Sequence, residues 1–234
     1  DLTLPDEDGR ALLLSLRERE QTARLPVLVT SGLRGSLPKA ECFALGAEAF
    51  FEKPLDFDGV ATAAAAHLQR ATDFAREARR DALTGLANRA AFEDAFDRVA
   101  ASSRRNKTRL ALGLLDLDHF KAVNDAYGHV MGDEVLRRAT QVVARSLRAS
   151  DLPARCGGEE FSVLFPNTSV RGAARALEHA AAALRRELFV MADGRSFRVT
   201  FSAGVVEVAD DESLEDAVSQ ADLLLYMAKA AGRD

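Results

Sequence analysis

The sequence predicts three consecutive parts: an incomplete α/β segment over residues 1–56, a helical stalk over 57–80 and an α+β domain over 81–234. Three observations carry this. In the first part, strand-length apolar runs alternate with helical stretches, the pattern of parallel βαβ units. From Asp56 to Arg80 the chain has no proline and, after Gly59, no glycine, while Val60, Ala64, Leu68, Ala71 and Phe74 recur at three- and four-residue spacing, as on an amphipathic helix. In the third part, apolar runs flank the pair Gly157 and Gly158, which reads as a tight hairpin because glycine tolerates positive φ.

Composition narrows the function classes. A chain of 234 residues holds one large or two modest domains, and a net charge of -5 argues against non-specific nucleic-acid binding. No apolar run approaches the ~18 residues of a membrane span, and no signal peptide opens the sequence. Cys42 and Cys156 lack metal-like spacing and suit a reducing compartment. The expectation is a cytoplasmic protein with neither membrane nor nucleic acid as partner.

In chain order, the first nine residues form a turn-rich loop. A helix is expected over 10–20, a strand over 25–31, a helix over 37–46 stopped by Gly46, and a short strand ending at Pro54. In parallel α/β sheets functional residues belong at the carboxyl ends of strands. Asp1, Ser31 and Lys53 fall at such ends, and with Pro5, Gly9 and Pro54 they resemble the response-regulator receiver domain. The resemblance implies a phospho-acceptor at Asp1, a hydroxyl at Ser31, the lysine of a Lys-Pro pair at Lys53, an aromatic switch at Phe50, and a histidine kinase as partner of a complete receiver. The first two receiver strands and the Mg²⁺-binding acidic pair have no counterpart, so the expectation is a fragment of a longer chain that does not itself accept phosphate. A sheet without its central strands exposes apolar edges. The stalk is expected to pair with its copy in a dimer.

In the third part, residues 81–89 form a turn into a helix with Phe92, Ala95, Phe96 and Val99 on one face. The apolar strand over 110–117 ends in acids. A carboxylate at the end of a buried strand is costly without a partner, which makes Asp116 a metal-ligand candidate, while Asp118 is expected to cap a helix starting near His119. Glu159 and Glu160 are adjacent like charges at a turn, unfavourable unless a cation or proton lies between them. Mg²⁺ takes hard oxygen ligands, typically one or two carboxylates plus substrate phosphates; Asp116 and Glu159 supply those carboxylates if their strands are neighbours. Asp133 alone reads as an acid at a helix N-terminus, favoured by the macrodipole. A helix over 169–188, a strand over 197–205 and a helix over 213–231 complete the domain.

The stretch Arg155-Cys156-Gly157-Gly158-Glu159-Glu160-Phe161 resembles the signature of the GGDEF family, the diguanylate cyclases, with Glu as third residue. Residues 81–89 resemble that family's Asp-x-Leu-Thr-Gly-Leu-x-Asn-Arg, residues 116–133 its block from Asp-x-Asp-x-Phe-Lys to Gly-His-x-x-Gly-Asp without a gap, residues 148–151 its Arg-x-x-Asp site, and residues 226–233 its ending. The resemblance implies an adenylyl-cyclase-like, ferredoxin-related antiparallel sheet with helices. It implies condensation of two GTP into cyclic di-GMP and two pyrophosphates by a homodimer. It puts Mg²⁺ on Asp116, the Leu117 carbonyl and Glu159, and proton removal from the attacking hydroxyl, or a second metal contact, on Glu160. Gly157 and Gly158 would let the backbone approach phosphates. Asn124 and Asp133 would hold guanine, with Phe120, Lys121, Lys229 and Arg233 also on the substrate. Arg148 and Asp151 would form an inhibitory site for the product, ~20 Å along the strand from the turn at ~3.3 Å per residue. The alternative is an inactive domain that serves as a cyclic di-GMP receptor.

Overall fold

The structure, a computed structural model, describes residues 1–33, 35–191 and 194–232, in two compact units, Asp1–Ala78 and Arg79–Asp234. In the first, Asp8 caps α1 (Gly9–Glu18) by accepting from the Arg10 N–H at 2.8 Å. The strands β1 (Leu28–Ser31) and β2 (Ala49–Glu52) pair in parallel, with α2 (Ser36–Ala44) as the crossover between them. Leu2, Leu13, Val29, Cys42 and Ala47 form a small core. Asp56 then caps α3 (Phe57–Glu77). This helix buries none of its residues, and its apolar stripe leaves Leu68 57% and Phe74 62% exposed.

The second unit runs β3 (Ala87–Asn88), α4 (Arg89–Asn106), β4 (Leu110–Leu117), α5 (Phe120–Tyr127), α6 (His129–Ser146), β5 (Leu152–Arg155), β6 (Glu160–Pro166), α7 (Val170–Leu184), β7 (Phe189–Val190), β8 (Ser196–Phe197), β9 (Phe201–Glu207) and α8 (Leu214–Ala230). Its sheet has the order β3-β5-β6-β4-β9, antiparallel except for the short parallel pair β3–β5. Helices cover both faces. Leu115, Phe161, Val163 and Phe165 pack with α5, α6 and α7 on one side; Leu110, Leu112 and Leu164 pack with α4 and α8 on the other. A strand buried on both faces reads as a continuous apolar run rather than an alternating one, as β4 does. Gly204 lets α8 lie directly on β9, because a Cβ there would collide with the Ala221 carbonyl and the Leu225 amide.

Two elements differ from the sequence reading. The strand expected over 197–205 begins only at Phe201. Phe197 pairs instead with Phe189 in the separate two-stranded β7–β8 ladder, where its ring stacks on Tyr127 at 4.4 Å and on Phe189 at 5.5 Å; aromatic contact with α5 draws it out of the central sheet. The helix carrying Asp133 starts at His129, so Asp133 lies in its second turn, beyond the reach of the N-terminal dipole. Among the described residues no helix is long and apolar enough to cross a membrane.

Candidate active site

The register of the sheet assembles the site. Asp116 near the end of β4 lies opposite Glu160 on β6 and Ser202 on β9. The Leu117 amide donates to the Glu159 carbonyl at 3.3 Å, which stitches the end of β4 to the signature turn. From α8, Lys229 Nζ pairs with Asp116 Oδ1 at 2.7 Å. The close seating of α8 on Gly204 brings that lysine to the sheet. Glu159 completes the cluster: burial, then the charge of Asp116, raise its pKa, while Lys229 opposes them. The carboxylate pair is thus only partly compensated by the protein's own cation.

Asp116, Glu159 and the Leu117 carbonyl are hard oxygen donors at adjoining strand ends, a set suited to a divalent cation that draws its other ligands from water and phosphate. Among the described residues no group of three or more His, Cys, Asp or Glu side chains is placed to hold a metal ion.

The turn itself corrects the sequence reading. Gly157 and Gly158 do not adopt the left-handed backbone, and four residues, not two, separate β5 from β6. Their value is space. A Cβ on Gly157 would strike the Glu160 carboxylate, and the position of a Cβ on Gly158 is open. Two guanidiniums hold the loop. Arg89 Nε and Nη2 donate to the Cys156 carbonyl, both at 3.2 Å. Arg155 Nε and Nη2 donate to the Gly158 carbonyl at 3.0 and 2.7 Å, and its Nη1 reaches both Asp81 oxygens at 3.0 and 3.1 Å. Asp81 also accepts from the Thr84 amide and hydroxyl. Burial pushes Asp81 up, but the Thr84 hydrogen bonds and then Arg155 outweigh it and leave its carboxyl below the usual range. Sequence reasoning gave Asp81, Arg89 and Arg155 no role. The available signal was an arginine directly beside a glycine turn whose backbone carbonyls need donors.

Asp118 is not a helix cap. Its carboxylate accepts from Thr200 Oγ1 at 2.6 Å and Ser202 Oγ at 2.8 Å, and α5 begins after His119 with no side-chain cap. Thr200, just before β9, and Ser202 within it supply donors that the helix start does not.

The two expected base-binding residues lie on neighbouring helices. Asn124 on α5 packs against Gly132 of α6, where a Cβ would collide with Asn124 Oδ1, and Asp133 follows directly. Phe120 lies in the core at 6% exposure, while Lys121 is exposed. Arg233 lies outside the described residues. At the other end of β5, Asp151 is buried, and its Oδ2 accepts from the Arg148 amide at 2.8 Å; the Arg148 side chain is exposed. In the first unit, Lys53 Nζ pairs with the Asp1 carboxylate and the Lys53 amide donates to the Ser31 carbonyl at 2.8 Å, so those three positions also converge.

Comparison with known proteins identifies the family and the fold. Residues 78–234 match the family described as "Diguanylate cyclase, GGDEF domain". Response regulator PleD of Caulobacter vibrioides is 35% identical over 241 residues, an alignment covering 97% of this chain and 53% of PleD. Diguanylate cyclase DgcP of Pseudomonas aeruginosa is 38% identical over 187 residues, covering 80% of this chain and 27% of DgcP. The chain spans about half the length, or less, of these relatives. The crystal structure of the coiled coil and GGDEF domain of DgcB from Caulobacter crescentus, in complex with c-di-GMP, has a TM-score of 0.69 at 31% identity and covers 76% of this chain and 97% of that one. Diguanylate cyclase SiaD from Pseudomonas aeruginosa, with its activator SiaC, has a TM-score of 0.66 at 34% identity, covering 76% and 69%. A family match over more than half of the sequence, an α+β fold shared with solved GGDEF domains, and two acids meeting at the signature turn lead to one conclusion: this chain belongs to the GGDEF family of diguanylate cyclase domains.

Proposed function

We propose that the chain condenses two GTP into cyclic di-GMP with release of pyrophosphate, using Mg²⁺, and that two copies meet so that each presents one nucleotide to the other. The observation that carries this reading is the pairing of Asp116 with Glu160 across β4 and β6, with Glu159 and Lys229 beside them. Asp116, Glu159 and the Leu117 carbonyl would hold the cation, which would offset the charge of the triphosphate and act as a Lewis acid toward it. Lys229 pairs with Asp116 and would supply a cation to a phosphate oxygen of the bound nucleotide. Glu160, exposed at the start of β6, takes the proton from the attacking 3′-hydroxyl. Chromatography of the products formed from GTP, with and without Mg²⁺, tests the reading. Absence of cyclic di-GMP with Mg²⁺ present would falsify it and leave the domain as a receptor.

Asn124 and Asp133 select guanine. A carboxylate accepts from guanine N1–H and its exocyclic amine, and adenine lacks both donors on that edge. Asp133→Ser is expected to reduce the preference for GTP over ATP about 10–100-fold, the value of a charged hydrogen bond. Competition titration with ATP measures it; an unchanged preference assigns Asp133 to helix structure alone.

Product feedback acts through Arg148 and Asp151. The exposed Arg148 guanidinium forks across phosphate oxygens in a way lysine does not. Occupancy there holds two domains apart instead of blocking GTP, so mutation uncouples feedback without slowing basal turnover. Arg148→Ala is expected to keep the initial rate within about twofold while later product accumulation continues. Progress curves that slow as the wild type does remove Arg148 from regulation.

The first unit reads as receiver-like, and a complete receiver would couple a histidine kinase to this output. Supporting it are the convergence of Asp1, Ser31 and Lys53 and an alignment with PleD that spans 97% of the chain.

A further inference from the structure

Asp118 is 5% exposed, and its side-chain partners among the described residues are hydroxyls, not cations. A carboxylate this deep is expensive unless its lone pairs are filled, and a neutral side chain would serve packing at less cost. Its setting suggests what the group does. The Asp118 amide donates to the Thr200 carbonyl at 2.9 Å and the preceding Leu117 amide to the Glu159 carbonyl, so the end of β4 is clamped between β9 and the signature turn. One residue later His119 takes the left-handed conformation (φ 55) and α5 starts with no side-chain cap. On the β9 side, the only side-chain hydrogen bonds seen here among the described residues from the Asp116–Phe120 bend are those from Thr200 and Ser202 to Asp118.

We propose that Asp118, gripped by Thr200 and Ser202, is a positioning residue that aims the Leu117 carbonyl at the bound cation and sets the start of α5, which carries Asn124. It coordinates nothing itself. This rests on reading the site as a Mg²⁺·GTP site and adds to it the residues outside the ligand set that orient a ligand. Such outer partners commonly govern metal affinity about 10–100-fold.

The test uses Mn²⁺ as a spectroscopic probe, titrated with a non-hydrolysable GTP analogue into the full chain and followed by electron paramagnetic resonance. Asp118→Ala is expected to weaken Mn²⁺ binding about 10–100-fold. Asp118→Asn is expected to stay within about threefold, because the amide oxygen still accepts and the rotatable hydroxyls accept from the amide N–H. Thr200→Val and Ser202→Ala, each removing one donor, are expected to fall between. A merely structural role would lower the melting temperature of Asp118→Ala and leave the Mn²⁺ affinity of the folded protein unchanged within twofold; that result overturns the proposal. If Asp118→Ala does not fold, unchanged affinity in both hydroxyl variants overturns it equally. Wild-type protein that fails to bind Mn²⁺ overturns both this and the cyclase reading. Weakened Mn²⁺ binding in Asp118→Ala, in a protein whose wild type makes no cyclic dinucleotide, supports the positioning role and removes only the cyclase reading.

Discussion

Glu160→Gln is expected to lower turnover of GTP about 10²–10⁴-fold, the usual contribution of a positioned general base. Binding of a non-hydrolysable GTP analogue should stay within a few-fold. The two quantities separate because glutamine keeps the shape and the hydrogen-bonding oxygen but does not accept a proton. An interaction used only in the transition state is lost from the rate and not from ground-state affinity. The structure makes the substitution a clean one. The Glu160 carbonyl, not its side chain, closes the hairpin by accepting from the Cys156 and Gly157 amides at 3.1 and 3.4 Å. The carboxylate lies against Gly157, where the missing Cβ leaves room for an amide of the same size. Initial rates by chromatography and affinity by calorimetry decide it. Turnover within tenfold of wild type takes Glu160 out of the proton transfer.

Arg155→Ala is expected to have the largest effect on stability. It removes the fork onto Asp81 and both bonds to the Gly158 carbonyl, from side chains only 14% and 22% exposed. Breaking a fully buried pair costs about 3–5 kcal/mol; with this partial exposure about 2–3 kcal/mol is expected, or roughly 5–10 °C in melting temperature. Turnover should also fall, because the turn carrying Glu159 loses its brace. The pH dependence follows from Asp81. Its folded pKa is depressed, so the network's contribution is fully present above the unfolded value near ~3.9 and is lost as pH falls through the folded value. The gap between wild type and variant should therefore be complete at neutral pH and narrow below about pH 4. Melting curves by circular dichroism at both pH values check this; a neutral-pH difference of only a degree or two shows that the brace contributes little.

Local physics made much of this protein legible from its residues. The stripe from Val60 to Phe74 is a helix and the apolar run ending at Asp116 is a strand, because period and β-propensity are properties of neighbouring residues. The acids Asp116, Glu159 and Glu160 were identifiable one by one for the same reason: a carboxylate at the end of an apolar run, or two at a turn, is costly wherever the chain goes. Their meeting was not legible. The pairing of Asp116 with Glu160 depends on which strands become neighbours and in what register, and a one-residue slip would turn one of them to the opposite face. The misplaced strand at Phe197, the cap assigned to Asp118 and the backbone assigned to Gly157 and Gly158 were decided by side-chain contacts that no local pattern announces. For Phe197 and Asp118 the partners lie far away in sequence, on Tyr127 and on Thr200 and Ser202; the glycine turn is set by Glu160 and Arg155 close by and by Arg89 at a distance. Sequence determined which residues carry charge and which segments are helix or strand. Only the tertiary structure decided which charges share a site, because it alone lays α8 on Gly204 to bring Lys229 to Asp116 and folds Arg155 between Asp81 and the signature turn.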